Sequence, residues 1–221
     1  MRRSFSRATQ GVTASQPSCF WSAAAQVVTP WVFALTLLLF SRAPSAALAT
    51  PLSADMIVSV PDQVLALVDR GRLIARYPVS TSKFGIGDSA GSYCTPLGTL
   101  FVSAKFGDNL PPGAVIKNRV PTGELVTANA PGRDTIVSRV IWLRGMEAQN
   151  RAARDRCIYI HGTPEERRIG KPASFGCVRM RSRDVIALYG SVHIGMHVTI
   201  SEKAIDELLP TEKPTLLSRA D

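Results

Sequence analysis

Short apolar runs separated by turn residues are the feature that most restricts how this chain can fold. Residues 64–68 and 72–77 are two such runs, and the Asp69-Arg70-Gly71 sequence between them is typical of the tight turn of a β-hairpin. Similar runs recur between glycines and prolines along the chain, and little of it shows helical periodicity. This pattern indicates a β-sandwich or barrel-like domain. The sequence therefore predicts a mainly β fold with one or two short helices.

Elements beyond the first hairpin are predicted from the same signals. A short helix is expected from Ser182, a suitable N-cap residue, to Tyr189, because Gly190 is a typical residue at a helix end. Residues 103–135 carry four prolines and are expected to form an irregular surface insertion, a flap over a cleft. The other predicted strands are residues 56–60, a strand beginning at residues 100–102, residues 137–143, residues 158–161 and a strand pair within residues 192–200.

The first 49 residues have the composition of a targeting segment. They contain four arginines, no acidic residue, an apolar run from Trp31 to Phe40 and a final Ala-Leu-Ala that matches an A-x-A cleavage site. The apolar run is shorter than the roughly 20 residues of a standard spanning helix. Residues 1–49 are therefore expected to export the chain, as a signal peptide or as an uncleaved N-terminal anchor. Residues 50–204 are predicted to form one domain, and residues 205–221 a polar tail.

The charge balance of the chain favours an anionic partner. The net charge is +9, and 22 basic against 17 acidic residues remain outside the presegment. A mildly basic domain suits an anionic polymer, but the sequence has no base-stacking motif and no basic helix, so nucleic acid is not expected. The histidines are scattered and no CxxC spacing occurs. Neither a metal site nor an organic cofactor is therefore predicted.

Three cysteines remain after the presegment, which contains Cys19. Because this number is odd, at least one of Cys94, Cys157 and Cys177 is expected to be a free thiol. Either Cys94 and Cys157 form a disulfide, or both are small buried thiols. Cys177 is predicted to be free in both cases.

A histidine and a cysteine at the two ends of one loop indicate the chemistry of the chain. A β-type run ends at His161, and Cys177 follows Gly176 sixteen residues later. A loop of this length can fold back and place sulfur beside imidazole. Cysteine acyl transfer needs this pairing, because an ordinary thiol is only a few per cent thiolate at pH 7. The N–H groups of Gly176 and Cys177 are candidates for stabilising the oxyanion that develops during such a reaction.

The loop resembles the active-site signature of the L,D-transpeptidases, the YkuD-type peptidoglycan enzymes. In that family an H-G-T sequence is followed, after a loop, by S/T-H-G-C, a hydrophobic residue and then R or N. Phe175 departs from the signature, since many members carry a second histidine there. The resemblance extends over most of residues 55–201 and implies the family's β-rich fold. The matching residues are His161, Gly162, Thr163, Ser174, Gly176, Cys177, Val178 and Arg179.

The resemblance implies that Cys177 is the nucleophile and His161 the general base, and that the Gly162 carbonyl orients the imidazole. Three further residues are candidates for substrate binding, each with a structural alternative. Ser174 either binds substrate or braces the turn before Cys177. Arg179 either holds a substrate carboxylate or ties the loop to an acidic residue. Tyr159, on the same strand face as His161, either lines the site or packs against a neighbouring strand.

The function that the resemblance implies is that of an exported, periplasmic peptidoglycan L,D-transpeptidase. Such an enzyme acts on a tetrapeptide stem, releases D-alanine and forms a 3→3 cross-link or attaches a lipoprotein lysine. Carbapenems are expected to acylate it. An L,D-carboxypeptidase, a lipoprotein-releasing enzyme and a catalytically silent peptidoglycan-binding module of the same fold are the alternatives. The sequence does not select the acceptor or predict an oligomeric state.

Overall fold

The computed structural model describes residues 54–132 and 134–209. The predicted presegment, residues 1–49, lies outside the described residues, as does the predicted tail from residue 210 onward. Within the described ranges, no helix is both long enough and apolar enough to cross a membrane. The described part is mainly β and has two short α-helices, which confirms the predicted fold class.

The regular elements are named in chain order. The helices are α1 (Ser182–Ser191) and α2 (Ile205–Leu208). The strands are β1 (Ala54–Ser59), β2 (Val64–Asp69), β3 (Arg72–Pro78), β4 (Gly98–Phe106), β5 (Ala114–Lys117), β6 (Val120–Leu125), β7 (Val137–Gly145), β8 (Tyr159–Gly162), β9 (Val178–Met180) and β10 (His197–Ser201).

The strands form one mixed sheet. Its order is β3-β2-β1-β10-β4-β7-β5-β6, and β8 and β9 extend from β7 as a branch. Most neighbours are antiparallel, but β1 pairs with β10 and β8 with β9 in parallel. The sheet is open rather than closed into a barrel, because β3 and β6 stand at opposite ends of the order.

The main apolar core lies between the sheet and α1. Leu100, Ile141 and Ile160 contribute to it from β4, β7 and β8, and Val185 and Leu188 from α1, all fully buried. Burial of such a side chain contributes about 1.5–3 kcal/mol. The helix packs against β7 and β8, so the core fixes the position of the strand that carries His161.

The predicted hairpin at Asp69-Arg70-Gly71 is confirmed as β2 and β3. Arg70 and Gly71 have φ values of 47° and 79°. Two consecutive residues of positive φ give a turn whose twist matches that of the flanking strands. The sequence signal worked here because a glycine occupies one of the two left-handed positions.

The prediction that residues 103–135 are irregular is wrong. Strand β4 continues to Phe106, and β5 and β6 form a second hairpin within the segment. Its turn residues, Asn118 and Arg119, both have positive φ, but no glycine marks them. Pro121 also lies inside β6, which is tolerated because β6 is an edge strand.

Two further sequence predictions are corrected. Helix α1 runs two residues past the predicted end, through Gly190 to Ser191, and its N-cap is Arg181 rather than Ser182. The predicted strand pair within residues 192–200 is a single strand, β10. A turn closed by the Met196 N–H on the His193 carbonyl precedes this strand.

The packed part of the chain extends slightly into the segment predicted as a tail. Helix α2 places Ile205 against Ala66 and Val68, and all three side chains are buried. The contact covers a face of β2 that is remote from the main core.

Candidate active site at Cys177 and His161

The parallel pair β8–β9 brings together the two ends of the predicted catalytic loop. In its register, Ile160 lies opposite Val178 and His161 opposite Arg179, so Cys177 stands next to Tyr159. Side chains alternate between the faces of a sheet. Cys177, Tyr159 and His161 therefore belong to one face, as predicted for Tyr159 and His161.

The spacing of the strands brings the backbones of Cys177 and His161 close together. Neighbouring strands lie about 4.8 Å apart and two residues span about 6.6 Å, which separates the Cα atoms of Cys177 and His161 by roughly 8 Å. Among the described residues, the Cys177 thiol donates to the Cys157 carbonyl oxygen at 3.4 Å and makes no hydrogen bond to the ring. Catalytic hydrogen bonds often form only when substrate is bound.

The hydrogen bonds of Ser174 shape the turn before the nucleophile. Its hydroxyl donates to the Cys177 carbonyl at 2.6 Å and accepts the Gly176 N–H at 3.2 Å. The structure thus shows Ser174 in a bracing arrangement, and its contact with substrate stays a prediction. The Gly176 N–H, predicted for the oxyanion, is engaged here. The Cys177 N–H has no acceptor in the described part of the chain.

Gly176 occupies a position that a larger residue would strain. Its φ is +115°, and a Cβ there would lie 3.1 Å from the Cys94 carbonyl oxygen and 3.2 Å from Ile158 Cδ1. The Thr95 hydroxyl donates to the Gly176 carbonyl at 3.0 Å. The positive φ and the close packing explain why a glycine precedes Cys177.

The Gly162 carbonyl fixes the tautomer of His161. The carbonyl oxygen lies 2.8 Å from His161 Nδ1. Because a carbonyl only accepts, Nδ1 carries the proton and Nε2 has a free lone pair. This contact has the geometry that the sequence analysis predicted for Gly162, and it leaves Nε2 as the atom that can take a proton.

The surroundings of His161 favour its neutral form. Burial lowers the pKa of the imidazole, and the Gly162 carbonyl and the Asp134 carboxylate oppose this shift, while the Arg179 guanidinium adds to it. A neutral ring is what a general base requires. His161 is therefore expected to stay neutral and competent as a base below pH 6.5, the usual pKa of histidine.

The Cys177 thiol is also neutral at rest. Burial raises its pKa to about 11, a shift that the Tyr159 N–H, 3.4 Å from the sulfur, partly offsets. The Arg156 guanidinium likewise lowers it. The residue is nevertheless partly exposed. The resting pair is thus a thiol and a neutral imidazole, and the thiolate has to form as the ring takes the proton.

The Arg179 side chain is engaged in ion pairs inside the protein. Its Nη1 donates to Asp134 and, at 3.2 Å, to Glu165, while Nη2 donates to the Ser80 hydroxyl at 3.2 Å. The side chain is only 2% exposed. The second of the two predicted roles, a tie to an acidic residue, describes this arrangement. A contact with a substrate carboxylate stays a prediction.

Tyr159 connects the nucleophile to the β5–β6 hairpin. Its backbone N–H faces the Cys177 sulfur, and its hydroxyl lies 3.5 Å from Arg119 Nη1. The ring is buried and packs edge-on against Trp142 at 5.8 Å. Burial raises the pKa of the phenol to about 12, so the hydroxyl stays protonated.

The residue at the position of the family's second histidine belongs to an exposed aromatic cluster. Phe175 is 54% exposed and packs against Phe84 and Tyr93, at ring distances of 5.5 and 5.8 Å. The Lys83 ammonium lies 4.4 Å from the centre of the Phe175 ring. The cluster stands at the rim of the turn that carries Cys177.

Several residues that hold the site together were not found from the sequence. Asp134 pairs with Arg179 and accepts a hydrogen bond from Thr163 at 2.6 Å. Glu165 also pairs with Arg179, at 3.2 Å. Both acids come from irregular segments, where no periodicity or motif distinguishes a structural carboxylate from a solvated one.

The remaining cysteines are free, like Cys177. Neither Cys94 nor Cys157 forms a disulfide in the structure, as in the second of the two predicted arrangements, but both residues are half-buried rather than buried. Cys157 has a φ of 56° and leaves the strand pattern just before β8. Within the described residues, no group of three or more His, Cys, Asp or Glu side chains is placed to hold a metal ion.

A family model agrees with the resemblance read from the motif. The model of the L,D-transpeptidase catalytic domain, YkuD, matches residues 53–200. The Bacillus licheniformis protein named "Putative L,D-transpeptidase YkuD" is 27% identical over 144 residues, which are 65% of this chain and 63% of that protein.

Solved structures of similar proteins carry the same family name. L,D-transpeptidase LdtMt1 in complex with imipenem is 16% identical, with 68% of this chain and 59% of that chain covered and a TM-score of 0.43. L,D-transpeptidase 3 from Mycobacterium tuberculosis with a faropenem-derived adduct is 16% identical, with 68% and 61% covered and a TM-score of 0.45.

This chain spans less than two thirds of the length of each of these relatives. Their substrates and partners are therefore not carried over by similarity alone. The family model, by contrast, covers most of this chain and includes both His161 and Cys177. On that match, the chain belongs to the L,D-transpeptidase catalytic domain family, YkuD.

Proposed function

We propose that this chain is an exported peptidoglycan L,D-transpeptidase in which Cys177 is the nucleophile and His161 the general base. One observation carries the proposal. A partly exposed thiol and a neutral imidazole lie on the same face of two neighbouring parallel strands, and the Gly162 carbonyl leaves the imidazole Nε2 free. Export rests on the composition of residues 1–49.

The first half-reaction forms a thioester. His161 Nε2 removes the Cys177 proton, and the sulfur attacks the carbonyl that follows the L-centre of diaminopimelate in a tetrapeptide stem. The bond to D-alanine then breaks, and the imidazolium returns its proton to the leaving amine. Because both groups are neutral at rest, the charges appear only as the reaction proceeds. Donors that stabilise the oxyanion then contribute most, and the unoccupied Cys177 N–H is the candidate donor.

The second half-reaction transfers the acyl group to an amine. The amine of a second stem attacks the thioester, gives up a proton to His161 and releases the thiol, which produces a 3→3 cross-link. A lipoprotein lysine is an acceptor of the same chemical class. Imipenem and a faropenem-derived adduct are bound to solved L,D-transpeptidases, which supports the expectation that carbapenems acylate Cys177.

Product analysis tests the proposal. Incubation of residues 50–221 with disaccharide-tetrapeptide should yield D-alanine and a cross-linked dimer, detected by mass spectrometry. Cys177→Ala should yield neither, whereas Cys94→Ala, which removes another free thiol, should retain both products. Dimer formation by Cys177→Ala would refute the assignment of the nucleophile. D-Alanine release without dimer would identify an L,D-carboxypeptidase instead.

A silent peptidoglycan-binding module is the alternative from another functional class. The rate at which Cys177 reacts with a thiol reagent does not distinguish this module from the enzyme. Burial raises the pKa of the thiol, so labelling is slow in both cases. The absence of every product with the wild-type protein, together with binding of the stem peptide, would favour the module.

A further inference from the structure

The guanidinium groups of Arg119 and Arg154 lie over the same indole ring, that of Trp142. The guanidinium carbons of Arg119 and Arg154 are 4.8 and 4.3 Å from the centre of the Trp142 ring. The Trp142 Nε1–H donates to the Arg154 carbonyl at 3.1 Å, which fixes the ring. Cations are attracted to the face of an indole, so two positive charges are held near the Trp142 ring.

Neither guanidinium is paired with a carboxylate in the part of the chain that the structure describes. Among the described residues, no carboxylate oxygen lies within 4 Å of Arg119 or Arg154. Arg156 and Arg179, by contrast, are both paired with buried or partly buried acids. Two like charges near one ring repel each other, and a bound anion nearby would relieve this repulsion.

A cavity adjoins Arg119 on the side of the nucleophile. Its volume is about 230 Å³, and its walls combine apolar side chains, among them Ile116 and Val140, with the polar groups of Arg119, Cys157 and Tyr159. An apolar cavity with a few convergent polar groups is the usual form of a small-ligand site. The volume suits one small residue of a peptide rather than a whole stem.

The cavity is close to the reacting sulfur. Two residues of its wall contact Cys177 through their backbones, Tyr159 by its N–H and Cys157 by its carbonyl oxygen, each at 3.4 Å from the sulfur. One tyrosine side chain therefore separates the sulfur from the Arg119 guanidinium. A carboxylate on the residue next to the scissile carbonyl lies only a few bonds from the attacked carbon, and an arginine side chain is long and flexible enough to move toward it.

We propose that Arg119, supported by Arg154 across Trp142, binds a carboxylate of the peptide substrate and thereby selects peptides that carry a free carboxylate beside the scissile bond. This inference rests on the proposed transpeptidase function. The structure assigns the role to Arg119 because Arg179, the arginine expected from the motif, is engaged by Asp134 and Glu165. A planar guanidinium binds a carboxylate through two parallel hydrogen bonds, which an ammonium cannot match.

The two stem carboxylates within reach are that of the terminal D-alanine and that on the side chain of diaminopimelate. Three substrates distinguish them: the free tetrapeptide, a tetrapeptide ending in D-alaninamide, and one amidated on diaminopimelate. If Arg119 binds the first carboxylate, wild type should lose about ten-fold in kcat/KM on D-alaninamide, the effect of one charged hydrogen-bond pair. If it binds the second, the loss should follow amidation of diaminopimelate.

Substitutions of Arg119 test whether the loss of kcat/KM on the amidated peptide depends on this residue. Arg119→Ala should raise KM about ten-fold on the free peptide with little change in kcat. It should also abolish the discrimination between free and amidated peptide. Arg119→Lys should restore part of the effect, and Arg154→Ala should show a smaller one. Arg151→Ala, an exposed arginine of the same segment as Arg154, is the matched control and should behave as wild type.

Binding to an inactive protein separates this inference from the proposed function. Calorimetry with Cys177→Ala and with Cys177→Ala/Arg119→Ala measures the free and amidated peptides without turnover. A preference of Cys177→Ala for the free peptide, lost in the double variant, supports the site even if wild type makes no dimer. Equal affinities of the two proteins, equal affinities for all peptides, or no measurable binding would overturn it.

Discussion

Two segments flank the strand pair that carries Cys177 and His161, and they are held in place in different ways. Residues 82–95 are attached by a buried ion pair between Asp88 and Arg156 and by the hydrogen bond from Thr95 to the Gly176 carbonyl. The β5–β6 hairpin pairs with the sheet at one register position, Val115 opposite Val137, and β6 is exposed along its whole length.

The two segments therefore have different structural roles. Segment 82–95 contacts the turn before Cys177 directly and is fixed by buried polar bonds, so it sets the position of the nucleophile. The hairpin contributes Arg119, and its inner strand β5 is held by buried side chains such as Val115 and Ile116, whereas its outer strand β6 is exposed throughout. Elements with many solvent-exposed backbone groups open more easily than core elements. Under the proposed function, Cys177 lies beside the firmly held segment, and Arg119, the proposed carboxylate-binding residue, lies beside the exposed strand.

The largest expected effect comes from breaking the buried ion pair. In Arg156→Ala, the Asp88 carboxylate, 7% exposed, loses its ion-pair partner, and the Cys94 and Gly87 carbonyls lose their donor. Removing one member of a buried pair costs about 3–5 kcal/mol. The free energy of unfolding, measured in urea, should fall by this amount.

A variant of an exposed ion pair shows whether the loss of stability depends on burial of the pair. Arg76 pairs with Asp206 on the surface, where both side chains are largely exposed. Arg76→Ala should therefore cost less than about 1 kcal/mol. Equal losses for the two arginine variants would show that segment 82–95 is not fixed by the buried pair.

The pH dependence of Cys177 alkylation tests how closely the protein surrounds the sulfur. With a pKa of about 11, against an ordinary value of 9.0, the alkylation rate of Cys177 should still rise about ten-fold between pH 9 and pH 10. An ordinary thiol would level off there. Peptide mapping after iodoacetamide treatment measures this rate, and the urea-unfolded protein is the reference. A plateau above pH 9 in the folded protein would contradict the prediction.

The same shift affects stability. The folded chain holds the Cys177 proton more tightly than the unfolded chain does, because its pKa is raised. The resulting stabilisation is present below about pH 9 and is lost as the pH rises toward 11. Cys177→Ala should remove this part of the pH dependence, and comparison of the two unfolding curves above pH 9 measures it.

The sequence predicted the catalytic strand pair better than its surroundings, for physical reasons. Tyr159, His161 and Cys177 lie in segments where local pattern and motif agree, and the structure places them on one face. The same holds for the β2–β3 hairpin, whose turn contains Gly71. In these places, short-range preferences already determine the conformation.

The β5–β6 hairpin and the ion pairs of Asp88 and Asp134 were not predicted from the sequence, because tertiary contacts determine them. Asn118 and Arg119 adopt positive φ without a glycine, and every residue of β6 is exposed, so the period-two pattern of a half-buried strand is absent. Asp88 and Asp134 gain partners 68 and 45 residues away. No local pattern encodes a contact across such a separation.

The smallest expected effect tests the hairpin side of the comparison. Val120 follows Arg119 in β6 and is 62% exposed, whereas Val115 in β5 is 3% exposed. Threonine has nearly the shape of valine, so each substitution mainly adds a hydroxyl. Val120→Thr should change the free energy of unfolding by less than about 0.5 kcal/mol. Val115→Thr should cost about 1–3 kcal/mol, because the hydroxyl is buried in apolar surroundings.

Urea unfolding of both variants makes this comparison. If Val120→Thr were as destabilising as Val115→Thr, the outer strand of the hairpin would be fixed as firmly as the inner one. The hairpin would then resemble segment 82–95, and Arg119 would be a rigid part of the cleft. A large loss for Val115→Thr alone leaves β5 as the anchored strand. The turn with Arg119 is then free to adjust to the peptide that it contacts.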